Sequence, residues 1–380
     1  MNFDDTAQEA AFRRMLREWL AQHAPREAGP LGGAQRAEFW SAWHRSLFHG
    51  GWMGLSWPVE YGGRGLGPAY EAILADEVGA CGAPPVPHAG FLGRALMHYG
   101  TQEQRRRYLP GLLSGEESWC QGFSEPGAGS DLAALATRAE LESGAAGAEY
   151  VVSGQKVWTS DAAWADRCLL LARTDPSADR HRGISALIVD MRAPGVTVRP
   201  IRQINGDEEF NEVFFDQVRV PADRLVGAAG QGWQIAMTTV SYERGPADIG
   251  FSSRYGRTIR QLEEAAAHRP GTPATRRALA RASVYAEVLR LHVLRSLSQR
   301  STADRPPGAE SSVDKLLSTV TEQLLHQAAM DVHGAAPLLG DRGEVLFDYL
   351  YSRAASIAGG TSQIQRSIVA ERLLGLPRTR

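Results

Sequence analysis

Apolar residues recur at three- and four-residue steps through the first third of the chain, give way to short β-prone runs, and return to helical spacing over the last third. Phe12, Met15, Leu16, Trp19 and Leu20 form one stripe and Phe39, Trp40, Trp43 and Leu47 another, each predicting a helix that buries one face. These aromatics are expected in the core. Pro58, Gly62, Gly63 and Gly65 then break the period, because neither residue type sustains a helix interior. A helix is expected from Pro68 into Glu77. Thr101 and Gln104 have the spacing of a capping box, which opens a helix towards Tyr108 that Pro110 and Gly111 interrupt.

The middle runs are Tyr150 to Ser153, Cys168 to Ala172, Ile184 to Val189, Val196 to Val198, Val213 to Phe215 and Val218 to Val220. Polar, Gly or Pro turns separate them and no regular helices intervene, which favours an antiparallel barrel or sandwich. From about Gly232 the helical period returns, with Leu289, Leu294 and Leu297 on one helix and Leu317, Val320, Leu324 and Ala328 on another. Polar interruptions at 268–273 and 301–308 read as loops between antiparallel helices, and a final helix includes Ile364, Ile368, Val369 and Leu373. The expected fold is multidomain α+β: an N-terminal α-helical domain over 1–118, a central antiparallel β domain over 119–228, and a C-terminal four-helix bundle over 229–380.

Charge and composition narrow the function classes. A formal net charge of -2 gives no reason to expect nucleic acid, and Arg105, Arg106 and Arg107 beside Glu103 read as a solvated helix face. Cys81, Cys120 and Cys168 are scattered without metal spacing, and His88, His98 and His333 show none either, so no metal site is predicted. Free thiols fit a reducing cytoplasm. The amino terminus lacks the apolar run of a signal peptide, and no segment has eighteen successive apolar residues, so no membrane span is expected.

The stretch Trp119 to Leu132 carries the candidate chemistry. Gly122, Ser124, Gly127, Ala128, Gly129 and Ser130 leave it nearly bare of side chains, and Pro126 stiffens its turn. Such a backbone can lie against a flat or phosphorylated ligand, so the stretch is expected to be a contact surface and not a core strand. Gly127-Ala128-Gly129 lacks the spacing and βαβ context of a Rossmann turn.

Ser124-Glu125-Pro126-Gly127-Ala128-Gly129-Ser130-Asp131, followed by Gly154-Gln155-Lys156-Val157-Trp158-Thr159-Ser160, resembles the paired flavin-binding signatures of the acyl-CoA dehydrogenase family. The resemblance continues through Glu209 to Phe215, Val218-Arg219-Val220-Pro221, Gly360-Thr361-Ser362-Gln363-Ile364-Gln365-Arg366 and the tail Ala370 to Pro377. It implies FAD between the β domain and the bundle. It also implies that Gln121, Phe123 and Ser124 face the flavin, with Trp158 and Ser160 contacting it from a second strand. Thr361 and Gln363 match contacts to the dinucleotide, and Ser130 matches a contact to the pantetheine of the acyl-CoA substrate. The implied reaction takes the α proton and the β hydrogen of an acyl-CoA to give a trans-2-enoyl-CoA, with electrons passing on to an electron-transfer flavoprotein.

Many members of the family carry the catalytic Glu directly before the Gly of the terminal G-T-S motif, where this chain has Gly359. Another branch places it before Arg in the first long helix of the bundle, which matches Glu243-Arg244. Glu243 is therefore the expected general base. The resemblance extends the substrate-binding set to Tyr242, Arg244, Gly359 and Gly360, with backbone amides at the two glycines available to the thioester oxygen. Arg244 reads either as a substrate-positioning charge or as an ion pair within the helices. The family's R-x-x-F-G and Q-x-x-G-G segments, which serve the FAD of a neighbouring subunit, are replaced by Arg254-Tyr255-Gly256-Arg257 and Asp331-Val332-His333-Gly334-Ala335. The assembly is accordingly expected to be a homo-oligomer or an unlike-subunit tetramer. Two other functions are compatible with these motifs: a flavoprotein acting on another acyl carrier, and a non-catalytic partner of an active homologue.

Overall fold

The computed structural model of the protein describes residues 4–25, 29, 32–87, 89–144, 147–243, 247–268, 271–303 and 308–378. The first third forms α1 (Ala7–His23), α2 (Gly33–His49), α3 (Pro68–Cys81), α4 (Ala89–Tyr99) and α5 (Gln102–Ser114). The middle forms β1 (Trp119–Gly122), β2 (Arg138–Gly144), β3 (Gly147–Ser160), β4 (Arg167–Arg173), β5 (Ile184–Asp190), β6 (Val196–Pro200), β7 (Phe210–Pro221) and β8 (Leu225–Val226). The remainder forms α6 (Gly232–Glu243), α7 (Ala247–His268), α8 (Pro273–Ala303), α9 (Ser311–His333), α10 (Gly343–Tyr351) and α11 (Ser362–Ile368). The chain packs as two compact units, one of residues 1–31, 64–86 and 244–380 and the other of residues 32–63 and 87–243.

In the second unit a single eight-stranded sheet runs in the order β6-β7-β3-β2-β4-β5-β8, with β1 paired to β4. Most pairings are antiparallel as expected, while β1 runs parallel to β4 and one residue pair joins β2 to β4 in parallel. The interior of β4 and all but the last residue of β5 are buried, because α6 covers β5; a strand buried on both faces reads as an unbroken apolar run, not as an alternation. The runs 213–215 and 218–220 are one strand, β7, in which Asp216 and Gln217 form a bulge opposite Ser153 with Gln217 at φ +52°.

Two helical expectations change. Pro110 does not end α5, which continues to Ser114 before Gly115 closes it at φ +77°. Pro110 and Arg106 both face solvent, so water can take the carbonyl that the missing amide leaves. The capping box forms as its spacing predicts, with Thr101 Oγ1 accepting from Gln104 N and Gln104 Oε1 accepting from Thr101 N. Phe12, Leu16, Leu20, Trp43 and Leu47 are core residues, whereas Met15 and Trp40 are exposed.

In the first unit α1 and α3 belong with the bundle. Arg13 reaches Asp5, Asp76 and Glu77, each at 2.6 Å, and fastens the two helices together. Where α3 crosses α7, a Cβ on Gly79 would stand 2.1 Å from the Gly250 carbonyl oxygen, so backbones meet directly. Helices α8, α9, α10 and α11 make the C-terminal four-helix bundle, with α7 packed on α8 and α9. Among the described residues no helix is long and apolar enough to cross a membrane.

The bundle interior also holds titratable groups. Burial pushes the Glu322 carboxyl up to about 7 although the Tyr255 hydroxyl donates to it at 3.1 Å. Folded protein then holds a proton that the unfolded chain has already lost, so this group's contribution to stability falls as pH rises towards 7. His326, pushed down to about 4 by burial, acts oppositely at mildly acidic pH. Glu322→Gln should therefore raise the melting temperature at pH 8, by at most about 3 kcal/mol of stability, and change it far less at pH 5. Equal shifts in thermal melts at the two pH values would show that this residue does not titrate across the range.

Candidate active site

β1 delivers the chain to the site from inside the sheet. Its residues Cys120 and Gly122 are buried opposite Cys168 and Leu170 of β4, so the first four residues of the expected contact surface are strand after all. A Cβ at Gly122 would lie 2.8 Å from Cys168 Sγ and 2.9 Å from a Leu170 methyl, which is why this strand end carries no side chain. Beyond β1 the chain leaves the sheet as a loop. Glu125 and Ala128 exchange backbone hydrogen bonds of 3.1 and 3.0 Å and close the turn around Pro126 and Gly127. A Cβ at Gly127 or Gly129 would meet nothing within 4 Å, and neither residue has positive φ. No need inside the chain makes these positions glycine, whereas a ligand pressed against the backbone would.

β3 presents the second half. Its pairing with β7 slips between Lys156 and Thr159, and within this irregularity Trp158 takes φ +62°, a left-handed conformation costly for a bulky residue. Trp158 is 59 % exposed, with Phe210 edge-on to its ring at 6.2 Å. Val157 N donates to Ser124 O at 3.0 Å, so Ser124 is tied beside the Trp158 strand. Ser160 is exposed and pairs with Phe210, and Gln121 is half-buried on β1. Buried Asn211 donates to the carbonyls of Thr159 at 3.0 Å and Glu209 at 2.8 Å, fixing this end of the β3–β7 pair. Arg36 of α2 pairs there with the buried Asp207 carboxylate and lies 3.9 Å from Asp161 and 3.8 Å from Glu209.

Ser130 is exposed at the far end of the loop. Its neighbour Asp131 pairs with Arg180, and Arg173 donates to the carbonyls of Ala133 at 2.9 Å and Leu135 at 3.2 Å. Thus one unit brings together Gln121, Phe123, Ser124, Ser130, Trp158 and Ser160.

At the end of α6 the Tyr242 hydroxyl lies 3.2 Å from His98 Nε2, the two rings stack at 5.8 Å, and the Arg94 guanidinium stands 5.6 Å from the Tyr242 ring centroid. Burial and Arg94 lower the His98 pKa, favouring the neutral imidazole. Glu243 is the last residue of α6; its side chain, like all of Arg244, lies outside the described residues.

In the other unit Gly359 and Gly360 form a turn at φ +63° and +93° that leads into α11. Thr361 caps that helix, its hydroxyl accepting from Ile364 N at 3.2 Å, and Gln363 is exposed. Gln365, fully buried, donates to the carbonyls of Gly359 at 3.0 Å and Gly360 at 3.3 Å. Motif reading gave no role to Gln365, Asn211, Glu125 or Lys156, although all four are polar residues inside the motifs. Their burial is the signal, and linear order does not display it.

Comparison with known proteins matches three domains in order along the chain. The acyl-CoA dehydrogenase N-terminal domain matches residues 6–116, the middle domain residues 120–218 and the C-terminal domain residues 230–374. The chain belongs to the acyl-CoA dehydrogenase family. It is 44% identical over 388 residues to acyl-CoA dehydrogenase IpdE1 of Mycolicibacterium smegmatis, covering 97% of each chain. Among solved structures it is similar to the Tcur3481-Tcur3483 steroid ACAD, with a TM-score of 0.86 and 32% identity over 100% of both chains. The ChsE4-ChsE5 complex from Mycobacterium tuberculosis gives a TM-score of 0.82 and 32% identity, again over 100% of both chains.

The protein is thus an FAD-dependent acyl-CoA dehydrogenase that introduces a trans-2 double bond into an acyl-CoA thioester. Its residues fit the cofactor: an exposed indole offers an aromatic face, Ser124 and Ser160 offer hydroxyls, and the unencumbered glycines admit close approach. Among the described residues no group of three or more His, Cys, Asp or Glu could hold a metal ion.

The packing at Gly122 can be checked directly. Gly122→Ala should destabilise the protein by about 1–3 kcal/mol through overpacking against Cys168 and Leu170. An unchanged melting temperature would mean that β1 and β4 can move apart at no cost.

Proposed function

We propose that Glu243 is the general base of this dehydrogenase and takes the α proton of the acyl-CoA. The observation that carries the assignment is Gly359: the position from which many members supply the base has no side chain, while Glu243-Arg244 matches the alternative placement. Relocating a carboxylate preserves the reaction when its oxygen reaches the same carbon. The fixed setting of Tyr242 between His98 and Arg94 supports the reading, since it anchors the helix end from which Glu243 departs. A thioester α carbon is a poor acid, so the enolate oxygen needs donors, and the amides at Gly359 and Gly360 are assigned that task. FAD, when bound, supplies the hydride acceptor for the β hydrogen.

The remaining roles follow the family motifs. Gln121, Phe123, Ser124, Trp158 and Ser160 serve the flavin ring, Thr361 and Gln363 the dinucleotide, Ser130 the pantetheine, and Tyr242 and Arg244 the acyl-CoA. The domains divide at 118/119 and 228/229, a division supported by where the three family domains match. The enzyme acts in the cytoplasm, passes electrons to an electron-transfer flavoprotein, and assembles with an unlike subunit; the similar Tcur3481-Tcur3483 steroid ACAD and ChsE4-ChsE5 complex each pair two proteins, which supports the last point. A steroid-derived acyl chain is the favoured substrate class, supported by likeness to the Tcur3481-Tcur3483 steroid ACAD over the whole chain.

Glu243→Gln should retain FAD but lose anaerobic flavin reduction by acyl-CoA by about 10²–10⁴-fold, the span typical of general base catalysis. Rapid bleaching of the variant's flavin absorbance would remove Glu243 from the role. In the parent enzyme, steroid-derived acyl-CoAs should reduce the flavin faster than straight-chain ones, and acyl-CoAs faster than matched acyl-carrier proteins. Preference for the carrier protein would favour the other acyl-carrier reading, and failure with every thioester together with tight binding to an active homologue would favour a non-catalytic partner.

A further inference from the structure

Lys156 is fully buried on β3, two residues before Trp158. Its ammonium donates to Glu125 Oε1 at 2.7 Å and to the Phe123 carbonyl at 3.1 Å. Glu125 in turn accepts from Ala136 N at 2.6 Å and from Thr137 N at 2.9 Å. Burial opposes the Glu125 charge, but Lys156 and these amide donors outweigh it and hold the carboxyl below its ordinary pKa. Burial also lowers the Lys156 pKa, against the opposing pull of Glu125.

Stability alone does not account for such a pair. Withdrawing two ions from water is costly, and apolar residues of equal volume often serve a core as well or better. What apolar residues cannot do is fix a carbonyl. Lys156 holds the peptide oxygen immediately before Ser124, and the next residue of the same strand, Val157, holds the Ser124 carbonyl. The partner Glu125 follows Ser124, so donors or acceptors on both sides of Ser124 are tied to the strand that carries Trp158.

We propose that Lys156 and Glu125 are a positioning pair that sets Ser124 and the Trp158 segment for the flavin. The proposal rests on the reading that Ser124 and Trp158 face that ring. Lys156 does not touch substrate in this role; it determines where the flavin-facing groups stand.

The test uses the FAD-loaded enzyme and three variants: Lys156→Met, Lys156→Met with Glu125→Gln, and Trp158→Ala. FAD affinity is read by equilibrium dilution, the flavin environment by visible circular dichroism, and folding by thermal melts. Lys156→Met should weaken FAD by about tenfold or more, alter the visible dichroism, and lower the melting temperature by leaving Glu125 without its counter-charge. The double variant should regain most of the lost melting temperature, because the buried charge is gone, yet keep the weakened affinity and altered dichroism. Recovery of affinity and dichroism together with stability would reduce the pair to a structural one and overturn the proposal. So would wild-type affinity and dichroism in Lys156→Met. Unchanged FAD binding in Trp158→Ala would instead defeat the flavin-facing assignment, and the proposal with it.

Discussion

An ammonium withdrawn from water must find acceptors, and Lys156 finds them in Glu125 and the Phe123 carbonyl. Those acceptors lie in the segment that leaves β1, so meeting the electrostatic need of one side chain also fixes the course of the loop. Glu125 also accepts from the amides of Ala136 and Thr137, just before β2. Three segments separated in sequence are thereby held at one point. The exposed face of the loop is free to stay almost bare of side chains because its order comes from beneath.

Close backbone approach plays the same part elsewhere. Gly122 lets β1 lie against Cys168 and Leu170, and Gly79 lets α3 meet Gly250 on α7. Side chains would fill these contacts but push the elements apart. Trp158 shows the converse: its left-handed backbone is tolerated because pairing resumes at Thr159 and Asn211 secures the Thr159 carbonyl. A strained aromatic left exposed next to a loop of small residues gains little for folding alone, which accords with the flavin contact proposed for it.

The chemistry of this family needs a carboxylate, a donor set for the thioester oxygen and a hydride acceptor, but it does not dictate which element supplies the carboxylate. The assignment of Glu243 proposed above uses that freedom, since Gly359 has no side chain to supply. With a glycine at one position, the turn of Gly359 and Gly360 is shaped by its positive φ values and by the buried Gln365 amide, and not by a catalytic side chain. The contacts of Tyr242 with His98 and Arg94 tie the end of α6 to α4.

Local rules were sufficient for much of this protein. The three- and four-residue apolar steps gave α1, α2 and the bundle helices, the Thr101 and Gln104 spacing gave a capping box, and the ordered motifs gave the family, its cofactor and the candidate base, because periodicity and motif order are properties of linear sequence. Tertiary structure decided the rest. Whether Pro110 ends a helix depends on whether water can reach the carbonyl it orphans, and whether Trp119 to Gly122 is a strand depends on β4 lying alongside. The two runs of β7 join because the sheet accommodates a bulge. Lys156, Glu125, Asn211 and Gln365 read in one dimension as ordinary polar residues; burial and distant partners give them their roles, and those arise only when the chain has closed on itself.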